Sequence, residues 1–265
     1  MRRQALLFLV AVQFLTRLPV PRLDGFQASW LSESARYFPV VGVLVGLLGA
    51  GAWWLGSLCF PPAVAAGLMI CATLLVTGAF HEDGLADTCD GFGGGRTREA
   101  TLAIMKDSRI GAYGAIGIVM MLGLKWSALV SLPHSALPII VIGAHMTSRW
   151  CAIGLIWRLP YVRQDADAKS KPLAGSLSIL DWLLSGALGA LTLLGAALLF
   201  DPSADFPWAR ILVGGTAFAL AGTVLAGAYF KNQIGGYTGD CLGAAQQVSE
   251  LSFLLATLGI LAGMD

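Results

Sequence analysis

Seven apolar stretches run along this chain, at 38–58, 61–80, 111–132, 136–157, 180–200, 209–230 and 247–263. Each approaches the ~20 residues a helix needs to cross a bilayer. The longest polar segments between them, 81–109, 158–178 and 231–247, are too short for a separate soluble domain. The pattern predicts an all-α protein: a polytopic integral membrane helical bundle of about seven transmembrane helices, one membrane-embedded domain over 1–265. A shorter apolar run at 5–12 follows Arg2 and Arg3. It lacks a small-x-small cleavage site, and Thr16-Arg17-Leu18-Pro19 follows instead. Residues 1–20 are therefore expected to form a retained amphipathic or re-entrant helix.

Composition strengthens this picture. Hydrophobic residues make up 56% of the chain and charged residues 12%, about half the share in soluble domains. The net charge of +1 offers no bulk field for nucleic acid. Glycines recur at helical spacing, as Gly42, Gly46, Gly49 and as Gly111, Gly114, Gly117, which suits closely packed membrane helices. The 5 cysteines form no CxxC and read as small buried side chains. With the N-terminus inside, fourteen of the 17 Lys and Arg fall on inside segments and Arg210 alone outside. That asymmetry predicts that 81–109, 158–178 and 231–247 all face the cytoplasm. They can then share one site.

The chemistry is concentrated in residues 78–95, GAFHEDGLADTCDGFGGG. If the preceding helix continues through them, Asp83, Asp87 and Asp90 fall at i, i+4 and i+7, on one face. Three like charges on one face call for a cation. An all-oxygen set suits Mg²⁺, Mn²⁺ or Ca²⁺ rather than zinc. Glu82 lies about 100° round the helix and serves as a candidate base or supporting group. His81 is a candidate substrate contact. Lys106 and Arg109, at the mouth of the 111–132 span, can grip phosphate oxygens. Arg149 lies inside the fourth span, where a charge is costly and marks a functional site. Lys125 raises the same question in the third. Gly235-Gly236-Tyr237-Thr238-Gly239-Asp240 offers Tyr237 to stack on a ring and Asp240 as metal ligand or base. Together these parts suit metal-dependent chemistry on a phosphorylated substrate. No GxxxxGK[ST] loop or HExxH motif occurs. A cation-coupled transporter is the alternative, but the acids sit at the membrane boundary and no inverted repeat is evident.

Four segments resemble the cobalamin (5′-phosphate) synthase family, also called adenosylcobinamide-GDP ribazoletransferases. They are Phe14-Leu15-Thr16-Arg17-Leu18-Pro19, Arg36-Tyr37-Phe38-Pro39-Val40-Val41-Gly42, the acidic run from His81 to Gly91, and Lys106-Asp107-Ser108-Arg109-Ile110-Gly111-Ala112-Tyr113-Gly114. The resemblance implies a Mg²⁺-dependent, multi-pass enzyme of the bacterial inner membrane with its site facing the cytoplasm. Its substrates would be adenosylcobinamide-GDP and α-ribazole or α-ribazole 5′-phosphate, with GMP as leaving group. Asp87-Thr88-Cys89-Asp90-Gly91 also resembles the opening of the CDP-alcohol phosphotransferase motif. The rest of that motif is absent, so its two-metal layout does not transfer.

Overall fold

A computed structural model describes residues 2–23, 25–163, 177–198 and 206–263. Lys169 and Lys171, used in the charge count, and the last residues of the 180–200 stretch lie outside these. The described residues form α1 (Arg2–Leu15), α2 (Ala28–Ser34), α3 (Phe38–Ser57), α4 (Pro62–Thr77), α5 (Phe80–Gly94) and α6 (Arg98–Ile104). They continue with α7 (Ala112–Ser131), α8 (Leu137–Arg158), α9 (Ile179–Ala197), α10 (Trp208–Ile234) and α11 (Gly239–Ala262). Six helical segments are long and apolar enough to cross a membrane, or seven if α4 and α5 count as one bent span. The protein is thus an all-helical, multi-pass membrane protein.

The 14-residue α1 is too short to span. Its buried face, Leu7, Val10, Ala11 and Leu15, packs toward α2 and α3. A 3-10 turn over Ala35–Tyr37 joins α2 to α3. At the centre stand α8 and α11. The most buried span is α8, and α11 packs on α5, α7, α8 and α10. Both glycine repeats make close approaches. A Cβ on Gly42 or Gly46 would strike the α8 backbone at Met146 or Ile142. On Gly111 and Gly114 it would strike the Asp90 carboxylate, and on Gly117 the Cys89 sulfur.

Cys59 and Cys71, expected to be buried, are exposed, and the structure moves two helix boundaries. The helix that enters the acidic run does not continue through it. Gly78 (φ 65°) closes α4 in the left-handed region, and Ala79 (φ 55°) follows in the same region. The chain turns by 89° and the acids begin a new helix, α5. Glycine takes this conformation freely, whereas alanine is strained there by about 1–3 kcal/mol. The Arg17 side chain fills the space a Cβ on Gly78 would need. Second, the last span starts at Gly239 rather than 247. Thr238 caps it by accepting from the Cys241 N–H, and the polar residues 246–250 are helical and inside the bundle.

Candidate active site at the polar end of the bundle

Pairs of helices separate the polar segments, so the chain returns to one end of the bundle each time. Tyr161 and Tyr237 form a parallel bridge, with Val162 N–H donating to Tyr237 O and Tyr237 N–H to Pro160 O, each at 3.0 Å. No Cβ fits at Gly236, because Pro160 O occupies its place. Nearby, Arg98 Nε donates to Ile234 O at 2.8 Å. The loops after α5, α8 and α10 therefore meet.

A cavity of about 1120 Å³ opens at this end. One wall comes from α1 and the chain after it, including Phe14, Arg17 and Phe26. The other carries Glu82, Asp83, Arg163 and Asp240. Close packing joins α5 to α11: a Cβ on Gly84 would lie 2.8 Å from Asp240 O. Asp87, half-buried on α5, feels the charges of Asp240, Asp83 and Asp90, with Arg163 opposing them. The carboxylates foreseen on one face are thus gathered, and α11 adds Asp240 from the side.

Asp90 is engaged differently from the metal-ligand role expected of it. Its Oδ2 accepts from Gly111 N–H at 2.7 Å and its Oδ1 from Gly114 N–H at 2.8 Å. Both are orphan donors at the start of α7, where negative charge is favoured. Asp90 therefore fixes the Lys106–Gly114 segment to α5. On that segment Lys106 is exposed, and Arg109 clamps Asp107 through Nε at 3.0 Å and Nη2 at 2.6 Å. That hydrogen-bonded guanidinium holds the Asp107 carboxyl down at about 2. Neither Lys106 nor Arg109 lines the cavity, though Ile110 does.

Three other expected contacts lie deeper. Tyr237 is fully buried, and its ring meets Tyr161 edge-on at 5.4 Å. It packs the core where stacking on a substrate ring was expected, because the 160–163 loop closes over it. Arg149 and His81 are buried and line a separate cavity of about 40 Å³. Arg149 Nη1 donates to His145 O at 3.0 Å, and its charge faces Glu250 and Glu82.

Arg149 belongs to a buried polar network that the sequence reading did not assemble. Lys125 Nζ lies 2.8 Å from Glu250 Oε1 and donates to Gln247 Oε1 at 2.9 Å. Glu250 Oε2 lies 3.1 Å from His145 Nδ1 and accepts from Gln246 Nε2 at 2.7 Å. Gln247 Nε2 donates to Glu82 Oε1 at 2.8 Å, while Glu82 Oε2 is buried with no partner among the described residues. The signal was present: polar residues at 145, 148, 149 and at 246, 247, 250 recur at helical spacing inside apolar spans.

Among the described residues no group of three or more His, Cys, Asp or Glu side chains is arranged to hold a metal ion. Mg²⁺ needs none, since it keeps several waters and takes one or two carboxylates plus substrate phosphates. Of the carboxylates expected at a cation, Asp83 and Asp240 line the cavity, and Asp87 lies beside them.

The Cobalamin-5-phosphate synthase family profile matches residues 7–258. The adenosylcobinamide-GDP ribazoletransferase of Shewanella frigidimarina is 45% identical over 267 residues, covering 97% of this chain and 96% of that one. That of Leptothrix cholodnii is 45% identical over 273 residues, covering 98% and 97%. That of Ralstonia pickettii is 46% identical over 258 residues, covering 96% and 94%. No solved structure matches the chain.

Proposed function

The chain belongs to the Cobalamin-5-phosphate synthase family, and we propose that it is an adenosylcobinamide-GDP ribazoletransferase. A hydroxyl of α-ribazole, or of its 5′-phosphate, attacks the cobinamide-linked phosphorus of adenosylcobinamide-GDP. The new P–O bond forms as the bond to GMP breaks, and the hydroxyl proton passes to a base at the site. The observation that carries this reading is the cavity of about 1120 Å³ walled by carboxylates and Arg163 on one side and by Phe14 and Phe26 on the other. A drug-sized ligand needs roughly 300–1,000 Å³. This space suits a larger, amphipathic substrate with a charged diphosphate.

Asp83 and Asp240, which line the cavity, with Asp87 beside them, would hold Mg²⁺, which would offset the diphosphate charge and polarise its phosphoryl oxygens. Glu82 and Asp240 are the candidate bases, each lining the cavity. Lys106 and Arg109 stand on the neighbouring turn, outside the cavity lining, and would reach nucleotide phosphates only where the substrate extends past Ile110. Arg149 and His81 support the site from beneath. Purified protein given adenosylcobinamide-GDP, α-ribazole and Mg²⁺ is expected to release GMP. No GMP from a folded preparation would sink the assignment.

We place the site on the cytoplasmic side of the bacterial inner membrane, because the inside segments carry nearly all the Lys and Arg. Cys59, exposed in the turn between α3 and α4, stands at the opposite end of the bundle. In intact cells an impermeant thiol reagent should label Cys59 but not a Ser108→Cys variant's new thiol. Labelling of position 108 from outside would invert the orientation.

A further inference from the structure

Arg163 is one of the positive charges of the 158–178 segment. Its surroundings give it a sharper role. It follows the loop clipped to 235–238 by the Tyr161–Tyr237 bridge, so its backbone is fixed at the mouth of the cavity. Its Nη2 lies 2.9 Å from Asp240 Oδ2 and donates to Met105 O at 2.9 Å. One guanidinium thus links α11, the turn after α6 and the loop after α8. It also lines the large cavity beside Asp83 and Asp240. Its Nε–H is buried and has no partner among the described residues. A guanidinium carries five N–H donors, and a fork used through a single nitrogen is incompletely satisfied.

We propose that Arg163 is a phosphate-binding residue of this site. It is held by Asp240 while the cavity is empty, and turns its fork to the diphosphate of adenosylcobinamide-GDP when substrate enters. The inference rests on the reading of the cavity as the diphosphate site. Asp240 lies among the carboxylates expected to take the cation, so Arg163 neutralises it only until the cation arrives. Substrate binding then replaces one ion pair by two favourable contacts, carboxylate with cation and guanidinium with phosphate. The planar fork matches phosphate oxygens bidentately, which an ammonium cannot do.

The test is steady-state kinetics of the full-length enzyme with each substrate varied in turn. Arg163→Ala is expected to lower kcat/KM for adenosylcobinamide-GDP about 10- to 100-fold, as loss of a charge-assisted contact does. The KM for α-ribazole should stay as in wild type. Arg163→Lys, which keeps the charge without the fork, should still lose about tenfold on adenosylcobinamide-GDP alone. A merely structural tie would raise both KM values together and lower thermal stability in step, and that result overturns the proposal. Wild-type kinetics in Arg163→Lys would overturn it too, and this variant decides the matter if the alanine variant does not fold. Asp83→Ala separates the two levels. If it abolishes turnover while both Arg163 variants behave as wild type, the inference about Arg163 alone fails. If Asp83→Ala is also fully active, the reading of the cavity fails with it.

Discussion

Alanine at Asp83 or Asp87 is expected to cut GMP release at least about 100-fold. Losing a partner that only orients a metal ligand costs about 10–100-fold, and losing a ligand should cost more. The stability of the same variants should move the other way. Asp87 sits in the field of Asp240, Asp83 and Asp90, with Arg163 as the opposing charge. Removing one carboxylate relieves that repulsion whenever no cation is bound. Asp83→Asn measured in excess chelator should therefore melt at the wild-type temperature or above it, while turnover is lost. Added Mg²⁺ should raise the melting temperature of wild type more than that of the variant. A variant that loses both stability and activity would mark Asp83 as a structural residue. Full wild-type turnover in chelator would remove the cation from the reaction.

The membrane architecture was legible because hydrocarbon imposes a length and a composition on each span. The stretches at 111–132, 136–157 and 209–230 correspond closely to α7, α8 and α10. The facial spacing of Asp83, Asp87 and Asp90 also survives, since a single helix carries all three. The break at Gly78-Ala79 was not legible. An apolar run reads the same whether or not the chain turns 89° at its end, and a left-handed alanine has no sequence signature. Nor did spacing reveal that Asp90 caps α7, because Gly111 and Gly114 reach it only through tertiary packing. Each polar residue within a span is visible singly in the sequence. The partners of Arg149 and Lys125 are not visible there, because a one-dimensional pattern cannot say which spans face each other. The pairing is a property of α7, α8 and α11 together.

That pairing yields the second large expected effect. Lys125 and Glu250 are almost wholly buried, 7% and 4% exposed, and lie 2.8 Å apart. Neither can reach water in place of its partner. Removing one partner of a buried pair leaves an uncompensated charge and costs about 3–5 kcal/mol. Lys125→Met should therefore lower the melting temperature in detergent sharply, with much of the protein lost from the membrane fraction. Glu250→Gln should do the same, because it leaves Lys125 beside Arg149 and His145 with no carboxylate on α11 to face them. The double variant leaves neither charge of the pair, with Arg149 still facing Glu82, and should recover part of the lost stability, so the two costs should be non-additive. Activity should recover less than stability. Lys125 also donates to Gln247, whose amide holds Glu82 Oε1 at the edge of the large cavity. Without Lys125 the Gln247 side chain loses its anchor, and Glu82 loses a fixed orientation. The double variant is expected to be folded but slow, with its defect in kcat more than in KM. Additive stability losses would mean that the pair is not coupled. Wild-type turnover in the rescued protein would show that the network serves the fold alone.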